Sequence, residues 1–355
     1  MKKLSEFLWP LIGLAAVVIS GYFLYQELKT TSISAIGDAI LAIPPHRILL
    51  AALSTLVAYA ALAWYDRIAL LHLGVRHISW LFVSLCSFTT YALSHNIGAS
   101  VFSGALVRYR AYTAKGLTAA QVAVLVALCS FTFFLGTVFL GGLTLVIDPE
   151  LLTRLDGKLP SFLTDPKTAY IVGAGMLGFV ALYAVGSILR LRSLHIRSFK
   201  LEYPRPGIMA RQLLAAPLEL LGAAGIIYFA LPDAMNPGFI PVLAIFLASF
   251  SVALASHAPG GLGVFEIVFI TAMHITDAAQ KDAVIAAVIV FRIFYFWIPA
   301  LISIVVVVAF ERSRLAAAIG TAAHPKSPKP VPEAPVSVPG LDAHELERDL
   351  KRKAV

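Results

Sequence analysis

The stretch Ser256–Glu266, SHAPGGLGVFE, sets a histidine, a proline, three glycines and a carboxylate inside a long apolar run. At membrane depth, irregular backbone is tolerated only where protein or trapped water satisfies its N–H and C=O groups. Gly260, Gly261 and Gly263 let the chain turn and approach a ligand closely, and Pro259 stops the preceding helix. The helix that resumes near Leu262 would aim its positive dipole end at the break, where a phosphate is the natural occupant. Glu266, beside that break, suits a cationic headgroup or a proton.

A second interruption, SHNIGAS, lies in the apolar stretch Ser79–Val107. Ser94, His95, Gly98, Val101 and Phe102 correspond to Ser256, His257, Gly260, Val264 and Phe265, with one extra residue in the later copy. His95 and His257 could be proton carriers, or equally structural histidines that cap the broken helices. Arg108, Tyr109, Arg110 and Tyr112 follow the first interruption; arginine forks match phosphate oxygens, although interfacial anchoring calls for the same residues. Asp66, Arg67, Glu219 and Arg292 also sit in apolar surroundings. Each costs at least ~2.5 kcal/mol if isolated in a bilayer, so each should face a cavity or a partner. Glu219, Glu266 and Arg292 suggest a buried glutamate–arginine arrangement, either coupled to a headgroup or proton or serving as a static lock.

The elements that must position these residues are membrane helices. The 355 residues are 59% hydrophobic and 14% charged, against about 25% charged in soluble domains. The pattern predicts an all-α polytopic membrane protein with six full spans: Leu8–Tyr25, Arg47–Leu71, Ala119–Ile147, Thr168–Leu189, Ile208–Leu231 and Asp282–Phe310. The first is read as a retained signal anchor, because no A-x-A cleavage site follows it. The two interrupted stretches, Ser79–Val107 and Phe239–Thr276, read as re-entrant hairpins, with a pair of full spans in each as the alternative. A loop carrying Arg190, Arg192, Arg197, Lys200, Arg205 and Arg211 is cytoplasmic by the positive-inside rule, which puts both termini inside.

Each hairpin lies between two long spans, giving halves of about 47–147 and 208–310. One extra span separates the halves and turns the second upside down. Paired broken segments in inverted halves mark a midplane binding site in many secondary transporters. The membrane domain is expected over 1–310, with a disordered, proline-rich cytoplasmic tail over 311–355. The net charge of +8 follows the cytoplasmic loops and needs no nucleic acid. Cys86 and Cys129 read as packing residues, and no metal or cofactor is expected. Zincin, Walker and dinucleotide motifs are absent; Ser103 with His95 or His257 offers only a faint hydrolase pattern.

Two segments resemble the lysylphosphatidylglycerol synthase transmembrane family: NIGASVFSGALVRYRAYTAKGLT over Asn96–Thr118, and Pro259–Glu266. The resemblance covers Leu8 to Arg314. It implies translocation of a phospholipid, aminoacylated or not, across a bacterial inner membrane, through a polar cleft between the hairpins. Arg108, Arg110, Tyr112, Arg292, Gly260 and Gly261 would bind the phosphate. Glu266, Glu219, His95, His257 and Asn96 would form the headgroup or proton site, and Gly98, Pro259 and Gly263 would break the hairpins. The stretch after Phe310 is short, so synthase activity is not expected and a separate lipid-modifying synthase is the expected partner. The competing readings are a non-transporting lipid-binding subunit or scaffold, and a membrane enzyme acting on a lipid-linked substrate.

Overall fold

A computed structural model describes residues 33–97, 100–155, 161–190, 194–196, 199–201, 204–273, 275 and 277–323. The expected anchor Leu8–Tyr25, Gly98 and the end of the tail lie outside the described residues. The described residues fall into two units, divided between Val307 and Val308. The second unit, taken by itself, begins with helix that runs to Ala323.

Helices start where caps and prolines allow. A short α1 (Ile33–Leu41) precedes α2 (Pro45–His72), which has proline at its first position, where the missing N–H costs nothing. The first apolar interruption yields α3 (Trp80–Ile97) and α4 (Ser100–Thr113), which pack against each other. Thr118 and Gln121 form a reciprocal capping box at the start of α5 (Ala119–Ile147). Asp165 caps α6 (Pro166–Ile188) by accepting the Thr168 N–H at 3.1 Å.

A short antiparallel ribbon, β1 (Leu194–Ile196) with β2 (Phe199–Leu201), lies in the arginine-rich loop, and α7 (Pro206–Ala230) follows. The second interruption yields α8 (Phe239–Ala255) and α9 (Val264–Ala272), again packed together. Asp277 caps α10 (Ala278–Phe291), which continues through a π-helical segment, Arg292–Trp297, into α11 (Ile298–Ala323).

Five helical stretches among the described residues are long and apolar enough to cross a bilayer: α2, α5, α6, α7 and Ala278–Phe310. They coincide with five of the six spans read from the sequence. The π-helical segment, the ribbon and the extension of α11 beyond Phe310 were not expected. Large apolar side chains such as Leu56, Ile171, Leu182 and Leu301 face outward, whereas Asp66, Arg108, Glu219 and Arg292 are buried. This inversion of the soluble pattern is what a lipid solvent imposes.

The most extensive contact between helices joins α2 and α7. Arg47 at the start of α2 bonds the Leu231 carbonyl and Asp233 just past the end of α7. Farther along, Ser54 and Ala58 meet Gly225 and Gly222, and the Tyr65 hydroxyl lies 3.4 Å from the Ala216 carbonyl. Residue numbers rise on one helix as they fall on the other, so the two run antiparallel.

The backbones approach closely because α7 has glycine at the crossing. A Cβ on Gly222 would lie 2.8 Å from both the Ala58 nitrogen and the Ser54 carbonyl oxygen. Small residues at such crossings let dispersion act in lipid, where no hydrophobic drive pulls helices together. Gly222→Val is therefore expected to lower stability by roughly 1–3 kcal/mol or more by overpacking. Gly175→Ala, where a Cβ meets nothing within 4 Å, should leave it unchanged; thermal unfolding in detergent compares the two.

Candidate functional site

The second break has a definite geometry. α8 ends at Ala255, and His257 takes a left-handed conformation (φ 55°) with its Nδ1 2.8 Å from the Ala255 carbonyl oxygen. That position normally favours glycine at a helix C-terminus. The helix thus stops before Pro259, which instead opens a 3₁₀ turn, Pro259–Gly261. Proline as the stop of α8 is corrected: the left-handed His257 closes it first. Gly260, Gly261 and Gly263 have φ of 62°, 61° and 77°, which L side chains adopt only under strain.

Arg292 and Glu266 tie this loop together. Glu266 accepts the Gly263 N–H on Oε2 at 2.7 Å and the Arg292 Nε–H on Oε1 at 2.7 Å. The other guanidinium nitrogens donate to the carbonyls of Gly260 and, at 3.3 Å, Gly261. The guanidinium carbon lies 4.7 Å from the Phe296 ring centre and 5.7 Å from that of Phe265, both favourable for a cation over a π face. Arg292 is the first residue of the π-helical segment, a wide turn that often occurs at functional sites.

Two expectations change here. The N-terminus of α9 is met by the chain's own Glu266 carboxylate, not left open for an external anion. The Gly260 and Gly261 carbonyls face Arg292, and Gly260, called for by its positive φ, lies against the first break at ordinary contact distance. A Cβ there would lie 3.5 Å from the His95 carbonyl oxygen and 3.8 Å from that of Asn96.

The two interruption motifs therefore touch. Asn96, near the end of α3, donates through Nδ2 to the carbonyls of Ala92 (2.7 Å) and Phe296 (3.1 Å), joining the first break to the π-helical segment. The His95 ring stacks on Tyr295 at 5.4 Å with 19° between planes. Between the motifs lies a cleft bordered by Ser94, His95, His257, Gly260, Gly261 and Arg292. Its interior of ≈ 30 Å³ holds a water or two and not a phospholipid headgroup.

Arg108 and Tyr112 belong to a different cluster. Arg108, 4% exposed, donates to Asp66 through Nη2 at 2.7 Å and through Nε at 3.2 Å to both carboxylate oxygens. Tyr112 donates to the same carboxylate at 2.8 Å, and Tyr91 lies under the guanidinium with its ring centre 4.8 Å away. Asp66 thus occupies the fork expected to take phosphate, and the phosphate role of Arg108 and Tyr112 is revised to structural pairing between α2 and α4. Arg110 lies exposed on α4.

Glu219 stands apart from Arg292. Its Oε1 accepts the Tyr295 hydroxyl at 2.6 Å, while Tyr59 donates to the Tyr295 carbonyl at 2.9 Å. Asp66 and Tyr295 are the members that sequence reasoning left out of the site. Lone opposite charges in neighbouring apolar segments could have paired Asp66 with Arg108. Nothing in FRIFYFW marks Tyr295 apart from its neighbours.

A model described as the lysylphosphatidylglycerol synthase TM region matches residues 11–303. The chain belongs to this family. The family relatives include an uncharacterised protein, slr0712, of Synechocystis sp., 30% identical over 69% of this chain and 73% of its own length. Another is the inner membrane protein YbhN of Escherichia coli, 29% identical over 72% of this chain and 77% of its own length.

The Asp66–Arg108 pair yields a direct test. Arg108→Ala leaves a buried carboxylate uncompensated and should cost roughly 3–5 kcal/mol. Asp66→Leu combined with Arg108→Met removes both charges and should recover most of that loss in the same detergent melt. Additive losses from the two changes would contradict the pairing.

Proposed function

We propose that this family member is a lipid flippase of the bacterial inner membrane that moves a phospholipid headgroup through the cleft between its two broken helices. The observation that carries this reading is the meeting of the two interruption motifs around Arg292 and Glu266. An arginine held by one carboxylate and two backbone carbonyls has its donors met by groups that a phosphate can replace. Phosphate oxygens match the guanidinium fork bidentately. An amine on an aminoacylated headgroup would then take the Glu266 carboxylate that Arg292 releases.

The narrow cleft corresponds to a closed arrangement. Opening it means parting Gly260 from His95 and Asn96, so the contact between the halves is the gate. On the opposite face of α8, an apolar groove of ≈ 230 Å³ is lined by Leu145, Met176, Ala244, Ile245 and Leu247. Acyl chains fit such a surface while the headgroup crosses the polar cleft. One helix then separates the two chemistries of a single lipid.

Inner-membrane residence accords with the name of the Escherichia coli relative, and both termini lie on the cytoplasmic side in this reading. No catalytic role is assigned to Ser103 or the histidines. A separate lipid-modifying enzyme supplies an aminoacylated substrate where one is used.

Glu266→Gln with Arg292→Gln removes both charges while keeping amide donors near the glycine carbonyls. Purified protein in liposomes, with a fluorescent phosphatidylglycerol and a membrane-impermeant quencher, is expected to show flipping by the wild type. The double variant should lose it, while its melting temperature, lowered by the lost loop bonds, stays above the assay temperature. A wild type that binds the lipid without exchanging it between leaflets would support a non-transporting lipid-binding subunit instead.

A further inference from the structure

Glu219 is 1% exposed, in the interior of α7, and its Oε2 atom is buried with no hydrogen-bond partner. Ion pairs join Arg47 to Asp233, Arg108 to Asp66 and Arg292 to Glu266, and Glu219 is in none of these three. A buried carboxylate without a cation is costly enough that such a group neutralises instead.

The groups that face it are phenols. Tyr59 and Tyr65 come from α2, and Tyr295 comes from the π-helical segment. Tyr59 donates to the Tyr295 carbonyl and Tyr295 to Glu219 Oε1, while the Tyr65 hydroxyl sits between the Ala216 carbonyl, 3.4 Å away, and the Glu219 carboxylate. They therefore do not form the shell of six or more oxygens that a hard metal cation takes. A proton is the ligand this chemistry fits.

A second orphan atom lies toward the cleft. The Nδ1 of His95 is buried with no hydrogen-bond partner, and its ring both borders the cleft and stacks on Tyr295, the residue that donates to Glu219. An unpaired carboxyl oxygen, a phenol and an unpaired imidazole nitrogen thus run from the middle of α7 to the gate between the halves.

We propose that Glu219 is a proton-binding site, filled when the two halves are closed and exchanging with the cleft past His95, so that lipid movement is coupled to proton movement. The coupling rests on the flippase reading; the proton site does not. Parting the halves would open the contact around His95 and Tyr295 to water. Glu219 could then ionise and release its proton to the side that is open, and reclosure would require it to rebind one.

Infrared difference spectroscopy on the purified full chain at neutral pH tests the site directly. The expected result is a protonated-carboxyl band that is lost in Glu219→Gln and shifted in Glu219→Asp. A band unaffected by either change would overturn the proton site. In liposomes, an imposed pH gradient should change the wild-type flipping rate, and Glu219→Gln should lose that response. His95→Phe keeps the stacked ring and should retain the band while losing the gradient response. Wild-type flipping indifferent to the gradient would overturn the coupling. A band without any flipping would overturn the flippase reading and leave the proton site standing.

Discussion

The arrangement depends on one guanidinium. In a bilayer, an unpaired backbone carbonyl has no water to bond, so a helix break survives only if the protein supplies donors. Arg292 supplies them to Gly260 and Gly261, and its own charge is balanced by Glu266, which in turn receives the Gly263 N–H. Three left-handed glycines, the capped start of α9 and the π-helical turn all converge on that side chain. A lysine in its place would present a single ammonium and could not span the carboxylate and both carbonyls in one plane.

The second constraint is steric. Gly222 lets α7 pack against the α2 backbone, Gly225 makes room for the Ser54 side chain, and Arg47 ties one end of that crossing. The broken segments that follow these two helices meet at their breaks, where Gly260 lies against His95 and Asn96. The polar groups of the two halves therefore divide by role. Asp66 and Arg108 satisfy each other and hold α2 to α4. Arg292 and Glu266 hold a loop that borders a cleft, and Glu219 has neither kind of partner.

Much of the scaffold was legible in the chain. Five spans followed from runs of apolar residues long enough to cross a bilayer, because lipid penalises every unsatisfied polar group in the same way wherever it falls. The two breaks were visible for the same reason: glycine, proline and histidine are conspicuous in such runs. The short elements were less visible. The ribbon in the arginine-rich loop and the π-helical segment depend on local hydrogen bonding that leaves no periodicity in an already apolar sequence.

The sequence by itself determined the membrane class, the paired interruptions and the set of buried charges, since each violates a strong compositional rule of lipid-facing helices. Only the tertiary structure decided how those charges are shared. Arg108 looked like a phosphate ligand until Asp66, 42 residues away, was seen in its fork. Arg292 was confined to Glu266 by contacts 26 residues apart, and Glu219 was left to Tyr295, 76 residues on. Pairing acts through space at a few ångströms, and a linear chain carries the charges without their distances.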